Sequence, residues 1–551
     1  MLYWMRLAFV AVCCSIIAAN AFLATPPNGG LRPSCVQLMS PLEEQGSRKE
    51  VVVVGAGIGG LVTAGYLAKD SGTKVTVLEK NGEQDIGGRV NEVSLGPQGE
   101  FRFDTGPSLL LLPEIYRETF ADLGVDSNDL FEMKRVDPAY QVYFSDGKDP
   151  LTLCADETVM ERQLEALEEG KLRQYQEYMA ISQLNKDVGL PNFIQEKLSL
   201  DRMGEFLMNV AVASPLANHA KQIAERFSHP KIRAVLSFQD LYVGLSPYQA
   251  PAVFNLLSAI ELNEGIYYPV GGFHQVARGL RKVCEGLGVT FRCNSPVQQV
   301  LVEGKVYDYE ATGVLLESGE EIQADVVVAN ADLPYVEQEL VPQHLSRSFE
   351  KASYSTSVIA FYWACNKRWE ALNHHTLFLS TDWEGSWDSI FKRSPGKPVV
   401  ADDFNFYVAT ASRTDPTVCP EGCDAIMVLV PCSPTEGVVD EAAEAEVVAN
   451  ARKQVIRKFE EAAGMSGFAE SIQHEVIYSP SEWRRRYNLV GGSVFGLAHG
   501  LNQLSLFRPA PKHPNVKGLY FAGASTRPGN GVPLVMIGSK LVSKAIRKDY
   551  L

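Results

Sequence analysis

The stretch Val51-Val52-Val53-Val54-Gly55-Ala56-Gly57-Ile58-Gly59-Gly60 decides how the rest of the chain is read. Four β-branched residues in succession suit a parallel strand buried on both faces, and glycines at 55, 57 and 60 then turn the chain. Leu61, Ala64, Tyr66, Leu67 and Ala68 continue at helical spacing, and a second strand from Lys74 to Leu78 ends at Glu79, 24 residues after the first glycine. In a strand–turn–helix–strand unit of this kind the first glycine permits the tight turn. The second lets a pyrophosphate approach the backbone, and the third lets helix and strand pack closely. The helix N-terminus supplies free N–H groups and a partial positive charge, with Ala56 and Gly59 in the same loop. Glu79, followed by Lys80, stands where a ribose hydroxyl would donate. A dinucleotide site is expected, and the glycines alone do not say which dinucleotide.

Around this unit the chain is of ordinary globular make-up. It has 551 residues, 46% apolar and 21% charged, with 45 Gly and 30 Pro, which excludes a disordered, collagen-like or coiled-coil chain. By length it could hold three to four domains of about 150 residues. The net charge of −15 leaves no basic surface for phosphates, so nucleic acid is not an expected partner. Three of the ten cysteines fall in the first 35 residues, and Cys419 and Cys423 stand alone as C-x3-C, so neither a zinc site nor a disulfide scaffold is expected.

The first 42 residues contain Arg6 and Arg32 and no acid, which leaves the remainder at −17. Arg6 precedes a thirteen-residue apolar run, Leu7 to Ala19, shorter than the roughly 20 residues a spanning helix needs. Ala19-Asn20-Ala21 fits a signal-peptidase site, so residues 1–21 are expected to be a signal peptide. Phe22 then opens a stretch, acid-free through Leu42, with Arg, Ser and Pro, and a transit peptide is expected over 22–47. A signal peptide followed by a Phe-initiated transit peptide resembles the bipartite presequence of algae with red-lineage plastids, which implies a plastid location.

Further motifs narrow the dinucleotide. Asp85-Ile86-Gly87-Gly88-Arg89 and Phe103-Asp104-Thr105-Gly106-Pro107-Ser108 follow the first unit, and Gly518-Leu519-Tyr520-Phe521-Ala522-Gly523-Ala524 runs into Gly531-Val532-Pro533 and a helix over Leu534 to Ile546. These resemble the FAD enzymes of the glutathione-reductase-like, amine-oxidase-like superfamily. The resemblance implies FAD, with Arg89 by the phosphates, a backbone group near Val297 at the adenine, and the loop from Gly523 at the flavin ring. Strands are read at Gly288 to Phe291, Val297 to Val302 and Glu321 to Asn330. The expected fold is α/β, a Rossmann-like FAD-binding domain with an interleaved α+β substrate domain. FAD-binding parts are expected at 48–130, 265–332 and 481–551, and substrate parts at 131–264 and 333–480.

Ser246-Pro247-Tyr248-Gln249-Ala250-Pro251-Ala252 and Gly265-Ile266-Tyr267-Tyr268-Pro269-Val270-Gly271-Gly272-Phe273 look like the carotenoid desaturase and isomerase flavoproteins, nearest the bacterial and fungal phytoene-desaturase branch. Phe361-Tyr362-Trp363, Ser412-Arg413-Thr414-Asp415-Pro416, Phe495-Gly496-Leu497-Ala498-His499 and Phe507-Arg508-Pro509 repeat the likeness, which runs from about residue 50 to 548. It implies a carotenoid substrate reached through an apolar tunnel, with Tyr242, Tyr267, Tyr268, Phe273 and Trp363 as wall or as ordinary core. It also implies peripheral membrane contact, with Leu190 to Ile194, Phe206 to Met208 and Val210 to Val212 as the candidate region. One departure is Gly523-Ala524 where many superfamily members carry Gly-Asp, so backbone groups are expected to hold the ribityl chain. Another is that no hydrophobic tail precedes Leu551.

Several chemistries stay open. A desaturase would pass electrons to a quinone or oxygen. The same fold could instead isomerise a polyene or add water across a bond with no net redox change, which a plastid address favours. Amine or porphyrinogen oxidases and prenyl-protein escort proteins share the fold. Asp240, Glu261 and His499 are the candidate bases. His374-His375 would point to opposite faces in a strand, or about 100° apart in a helix, and suit no single ion.

Overall fold

The computed structural model describes residues 48–70, 72–195 and 212–551. The presequence segments at 1–47 therefore lie outside the described residues, as do Phe206 to Met208, Val210 and Ala211.

A five-stranded parallel sheet organises the cofactor side. In chain order its strands are β1 (Lys49–Val54), β2 (Thr73–Leu78), β3 (Thr290–Arg292), β4 (Val326–Ala329) and β5 (Leu519–Phe521). Their spatial order is β3-β2-β1-β4-β5. The order reverses between β1 and β4, and ligands of such sheets bind at the carboxyl ends beside that reversal. The valine run has a simple cause. Val51 and Val53 pack under α1 (Ile58–Ala68), α2 (His274–Gly286) and α3 (Val532–Tyr550), while Val52 and Val54 pack against an antiparallel layer of Val297–Lys305, Asp308–Leu316 and Glu321–Gln323. Both faces are covered, so no polar residue can alternate in.

The stretch from Glu321 to Asn330 is not one strand. It divides at Ala324-Asp325, because Glu321–Gln323 joins the antiparallel layer while β4 joins the parallel sheet. Asp325 occupies the joint, its carboxylate accepting from Lys49 Nζ and from the Glu50 N–H, both at 2.9 Å.

The substrate side rests on a seven-stranded sheet in the order Ile472–Tyr478, Ser357–Cys365, Asp424–Cys432, Phe406–Ala409, His375–Leu379, Tyr140–Phe144, Leu151–Leu153. The strand Ser357–Cys365 is buried throughout and alternates by period two. Ile359, Phe361 and Trp363 face the helix Glu441–Ala463, and Ala360, Tyr362 and Ala364 face Phe103 and Trp483. Trp363 therefore does not wall a tunnel. It packs on Phe361 and Phe468, and its indole N–H donates to Glu475 at 3.0 Å. Among the described residues, the helices Glu157–Leu167, Leu172–Gly189, His219–Ala224 and Pro230–Val235 pack on this sheet, and no helix is long and apolar enough to cross a membrane.

Candidate active site

At the end of β1 the chain turns through Gly55, at φ +101°, and enters α1 with Gly57 as its N-cap. A Cβ on Gly60 would collide with the Gly55 carbonyl oxygen, so the third glycine is fixed by helix–strand contact. No side chain caps α1 and no acid lies in its first turn, and the same holds for α3 behind its N-cap Gly531. The two helix starts are packed together: a Cβ on Gly59 would lie 3.1 Å from Val535, and the Ser539 hydroxyl donates to the Gly59 carbonyl at 3.0 Å. Paired uncapped N-termini, with Val532 and Pro533 in the first turn of the second, form a cradle for an anionic diphosphate.

The other motif residues gather on this cradle. Glu79 accepts from the Ala56 N–H at 2.9 Å and the Asn81 N–H at 3.0 Å, so its carboxylate also braces the glycine turn. Gly87 donates to the Ala56 carbonyl at 2.8 Å, Gly88 runs over Gly57, and Gly106 lies against the Arg89 carbonyl, where a Cβ could not fit. Arg89 donates to the Val494 carbonyl at 2.5 Å, and the charge of Asp332 opposes the lowering that burial imposes on its pKa. The hydroxyl of Ser108 meets Tyr407. Val297 sits two residues past Ser295, whose N–H donates to the Glu79 carbonyl at 2.8 Å. Lys80 departs from the group: its ammonium turns away to the Arg485 carbonyl at 3.0 Å and Asn488 at 2.7 Å.

Three residues of this region have contacts that their local sequence does not reveal. Asn330, at the end of β4, donates to the Ala522 carbonyl at 2.9 Å and lays its amide over Gly57 and Gly59. Asp332 accepts from the Ser525 hydroxyl at 2.6 Å; burial raises its pKa, against Ser525, Arg89 and Arg508. Arg508 is 1% exposed and donates to the carbonyls of Thr526, Ala498, Gln503, Leu497 and Ala524 at 2.6–3.4 Å. Burial pushes its pKa down to about 9, so it is cationic at neutral pH. This cage fixes the loop at Gly523-Ala524, where the side-chain carboxylate of many superfamily members is missing.

Beyond the loop lies a buried polar cluster. Glu261 accepts from the Tyr140 hydroxyl at 2.9 Å and Gln239 at 3.2 Å, and the hydroxyls of Tyr140 and Tyr242 are 3.2 Å apart. With no cation beside it, burial raises the Glu261 pKa to about 8. Tyr407 and His375 meet at 2.7 Å, and the His374 and His375 rings lie 4.3 Å apart. That proximity differs from the opposite-face expectation because His374 precedes the strand that His375 begins. Burial and Arg413 bring the His374 pKa down to about 3.

The other two candidate bases are engaged differently. Asp240 is paired with His219 Nδ1 at 2.7 Å, and His219 Nε2 reaches the Tyr178 hydroxyl at 3.1 Å. His499 contacts the Val243 carbonyl through Nδ1 at 3.2 Å, and its Nε2 lies against Gly529 and Asn530 of the C-terminal loop. Burial and Arg508 hold it well below the ordinary imidazole range, so it orients the loop as a neutral ring.

The residues present fit FAD. A Cβ on Gly57 would crowd the Asn330 amide that lies over the turn, a Cβ on Gly106 would strike the Arg89 carbonyl, and both helix starts lack an acid, which leaves their N–H groups to an anion. Comparison with known proteins agrees. The family of flavin-containing amine oxidoreductases matches residues 58–534. A phytoene desaturase of Fusarium fujikuroi is 37% identical, with 91% of this chain and 90% of that protein covered. A carotenoid 3,4-desaturase of Haloarcula japonica is 33% identical over 91% of this chain and 99% of its own. In fold the chain is similar to an oxidoreductase of Methanosarcina mazei, TM-score 0.57 at 16% identity, covering 90% of this chain and all of that one. With its cradle intact and that similarity spanning nine-tenths of its length, the chain belongs to the FAD-dependent carotenoid desaturases, a branch of the flavin-containing amine oxidoreductases.

Proposed function

We propose that this chain desaturates a carotenoid, converting a C–C single bond of the polyene into a double bond. The observation that carries the reading is the complete dinucleotide cradle in a chain 37% identical, over most of its length, to a phytoene desaturase. The relatives are named for desaturation, which favours net oxidation over the net-neutral isomerisation or hydration that a plastid address raises. When bound, the flavin supplies two-electron acceptance. The protein residues orient and shield. The two helix starts hold the diphosphate, Glu79 receives the ribose, and the Arg508 cage stiffens the loop at Gly523. Half-buried Tyr242 is tied to that loop through Asn530, and half-buried Tyr407 meets the Ser108 hydroxyl.

The test is anaerobic incubation of purified protein with carotenoid-loaded vesicles, with and without a quinone. The expected product has lost two hydrogens, in a quinone-dependent manner, and the protein co-floats with the vesicles. Unchanged mass with altered retention, or a gain of one water, overturns the reading.

The membrane face we propose is Leu501, Leu506 and Phe507, exposed at 44%, 50% and 63%. They flank Leu504, which packs on the apolar cluster of Val243, Leu245, Ala250 and Phe254. An insoluble polyene has to be drawn from lipid, and an apolar rim rewards contact with acyl chains. We also propose delivery to a plastid by residues 1–47. A fluorescent fusion carrying them is expected to enter the plastid of a red-lineage alga, and Phe22→Ala to leave it outside; equal import of both overturns the Phe-dependent route.

A further inference from the structure

We propose that Tyr242, Tyr140 and Glu261 form a proton relay, with the Tyr242 hydroxyl taking the proton released by the polyene and Glu261 storing it. This rests on the desaturase reading above. The order of the groups follows from their contacts. Glu261 and Tyr140 are buried at 1% and 0% exposure, whereas Tyr242 keeps accessible surface. The Tyr242 carbonyl accepts from Asn530 Nδ2 at 2.6 Å, which fixes this tyrosine beside the loop that leads into α3. Tyr407 in turn joins Ser108 to His375. The half-buried end of the relay is thus held to the loop ahead of α3, which the resemblance to FAD enzymes puts at the flavin ring.

The step balances. Bound flavin would supply the acceptor for the hydrogen that one carbon of the saturated bond loses with its electron pair. The neighbouring C–H bond leaves its pair as the new π bond and its proton on Tyr242 Oη. Tyr242 gives its own proton to Tyr140, and Tyr140 gives its proton to Glu261 Oε1, forming the neutral acid. The relay resets when that proton is passed on with the two electrons to the final acceptor.

A purely architectural role fits Glu261 poorly. Its carboxyl accepts two hydrogen bonds, which a glutamine could reproduce in part without the cost of burying an ionisable group. The groups facing it are Tyr140, Gln239, Tyr242 and Tyr407, none of them a cation. Lacking a counter-charge, its pKa is pushed up to about 8, so the carboxylate that receives the proton increases as pH rises toward that value.

The measurement is anaerobic single-turnover flavin reduction by vesicle-borne carotenoid, from pH 6 to 9, in wild type and in Tyr242→Phe, Tyr140→Phe, Glu261→Gln and Glu261→Asp. Wild type is expected to show a rising limb centred at about pH 8. Tyr242→Phe is expected to slow reduction by about 10²–10⁴-fold, the usual range for a lost general base, with little change in KM. Glu261→Gln abolishes the limb, and Glu261→Asp restores it in part. Independently of turnover, difference infrared spectra of the cofactor-free protein are expected to show a neutral carboxyl band near pH 7 that Glu261→Gln removes. If Glu261→Gln fails to fold, Tyr242→Phe and Tyr140→Phe decide the matter. Folded variants that reduce flavin within about twofold of wild type, or a pH limb that survives Glu261→Gln, overturn the relay. Wild-type protein that never reduces its flavin with carotenoid overturns the desaturase reading instead.

Discussion

Gly57→Val is expected to give a folded, colourless protein that takes up no FAD. The two halves of this result have separate causes. Gly57 sits at φ −70° and ψ 173°, an extended conformation open to any residue, so the backbone is not strained by a side chain. A Cβ there would meet the Asn330 side-chain amide, Oδ1 at 2.8 Å, which can turn aside at the cost of its hydrogen bond to the Ala522 carbonyl. Loss of a favourable N-cap costs α1 about 1 kcal/mol. The valine methyls instead fill the approach to the α1 N–H groups, where the pyrophosphate must come to hydrogen-bond distance. Flavin absorbance after gel filtration, together with the thermal midpoint of the cofactor-free protein, separates the effects. Gly60→Ala supplies the contrast: its methyl meets the Gly55 carbonyl, a backbone atom that cannot turn aside, so the cofactor-free protein itself should lose stability. A yellow Gly57→Val protein with wild-type FAD content would refute the cradle.

What could be read from the sequence follows the range of each interaction. The β1–α1–β2 unit was legible because its determinants are local: glycines at 55, 57 and 60, a valine run, an acid closing the next strand. Glu79 stands beside the glycine turn for the same local reason, although its bracing of the Ala56 N–H has no sequence signal. Glu321 to Asn330 was misread because a continuous apolar pattern does not reveal that two strands join different sheets; the break at Asp325 appears only once Lys49, 276 residues away, is beside it. Trp363, read as tunnel wall or core, is core, because strand alternation assigns it to the face under the helix Glu441–Ala463. The polar cluster was hardest. Tyr140 and Glu261 are 121 residues apart and Tyr140 and Tyr242 are 102, and nothing in either local sequence announces the meeting. Asn330 and Arg508 were likewise visible as letters but not as contacts, since their partners are backbone carbonyls, which carry no sequence signature.

Arg508→Met is expected to destabilise the protein by about 3–5 kcal/mol, the range found when one member of a buried charged set is removed. Methionine matches the arginine stem in bulk, so the cavity is small and the loss is polar. Five hydrogen bonds end on carbonyls of Leu497, Ala498, Gln503, Ala524 and Thr526, and an apolar replacement leaves them without their guanidinium partner. A buried acceptor left unpaired costs about 1–3 kcal/mol, though five on one cage do not add in full because the loop can relax. Asp332, faced by both Arg89 and Arg508, loses one of its two cations. Its pKa should rise further, which draws it toward the neutral acid and weakens its hold on Arg89 and the turn after Gly88. The damage thereby reaches the cradle from the opposite end of the chain. Arg508→Lys should recover part of the loss, because an ammonium supplies three donors and the charge but not the fork that spans Thr526 and Ala524. Urea midpoints and FAD content of the two variants give the measurement. The order wild type, Lys, Met is expected in both quantities, and a Met variant within about 1 kcal/mol of wild type would show that the cage does not hold the loop.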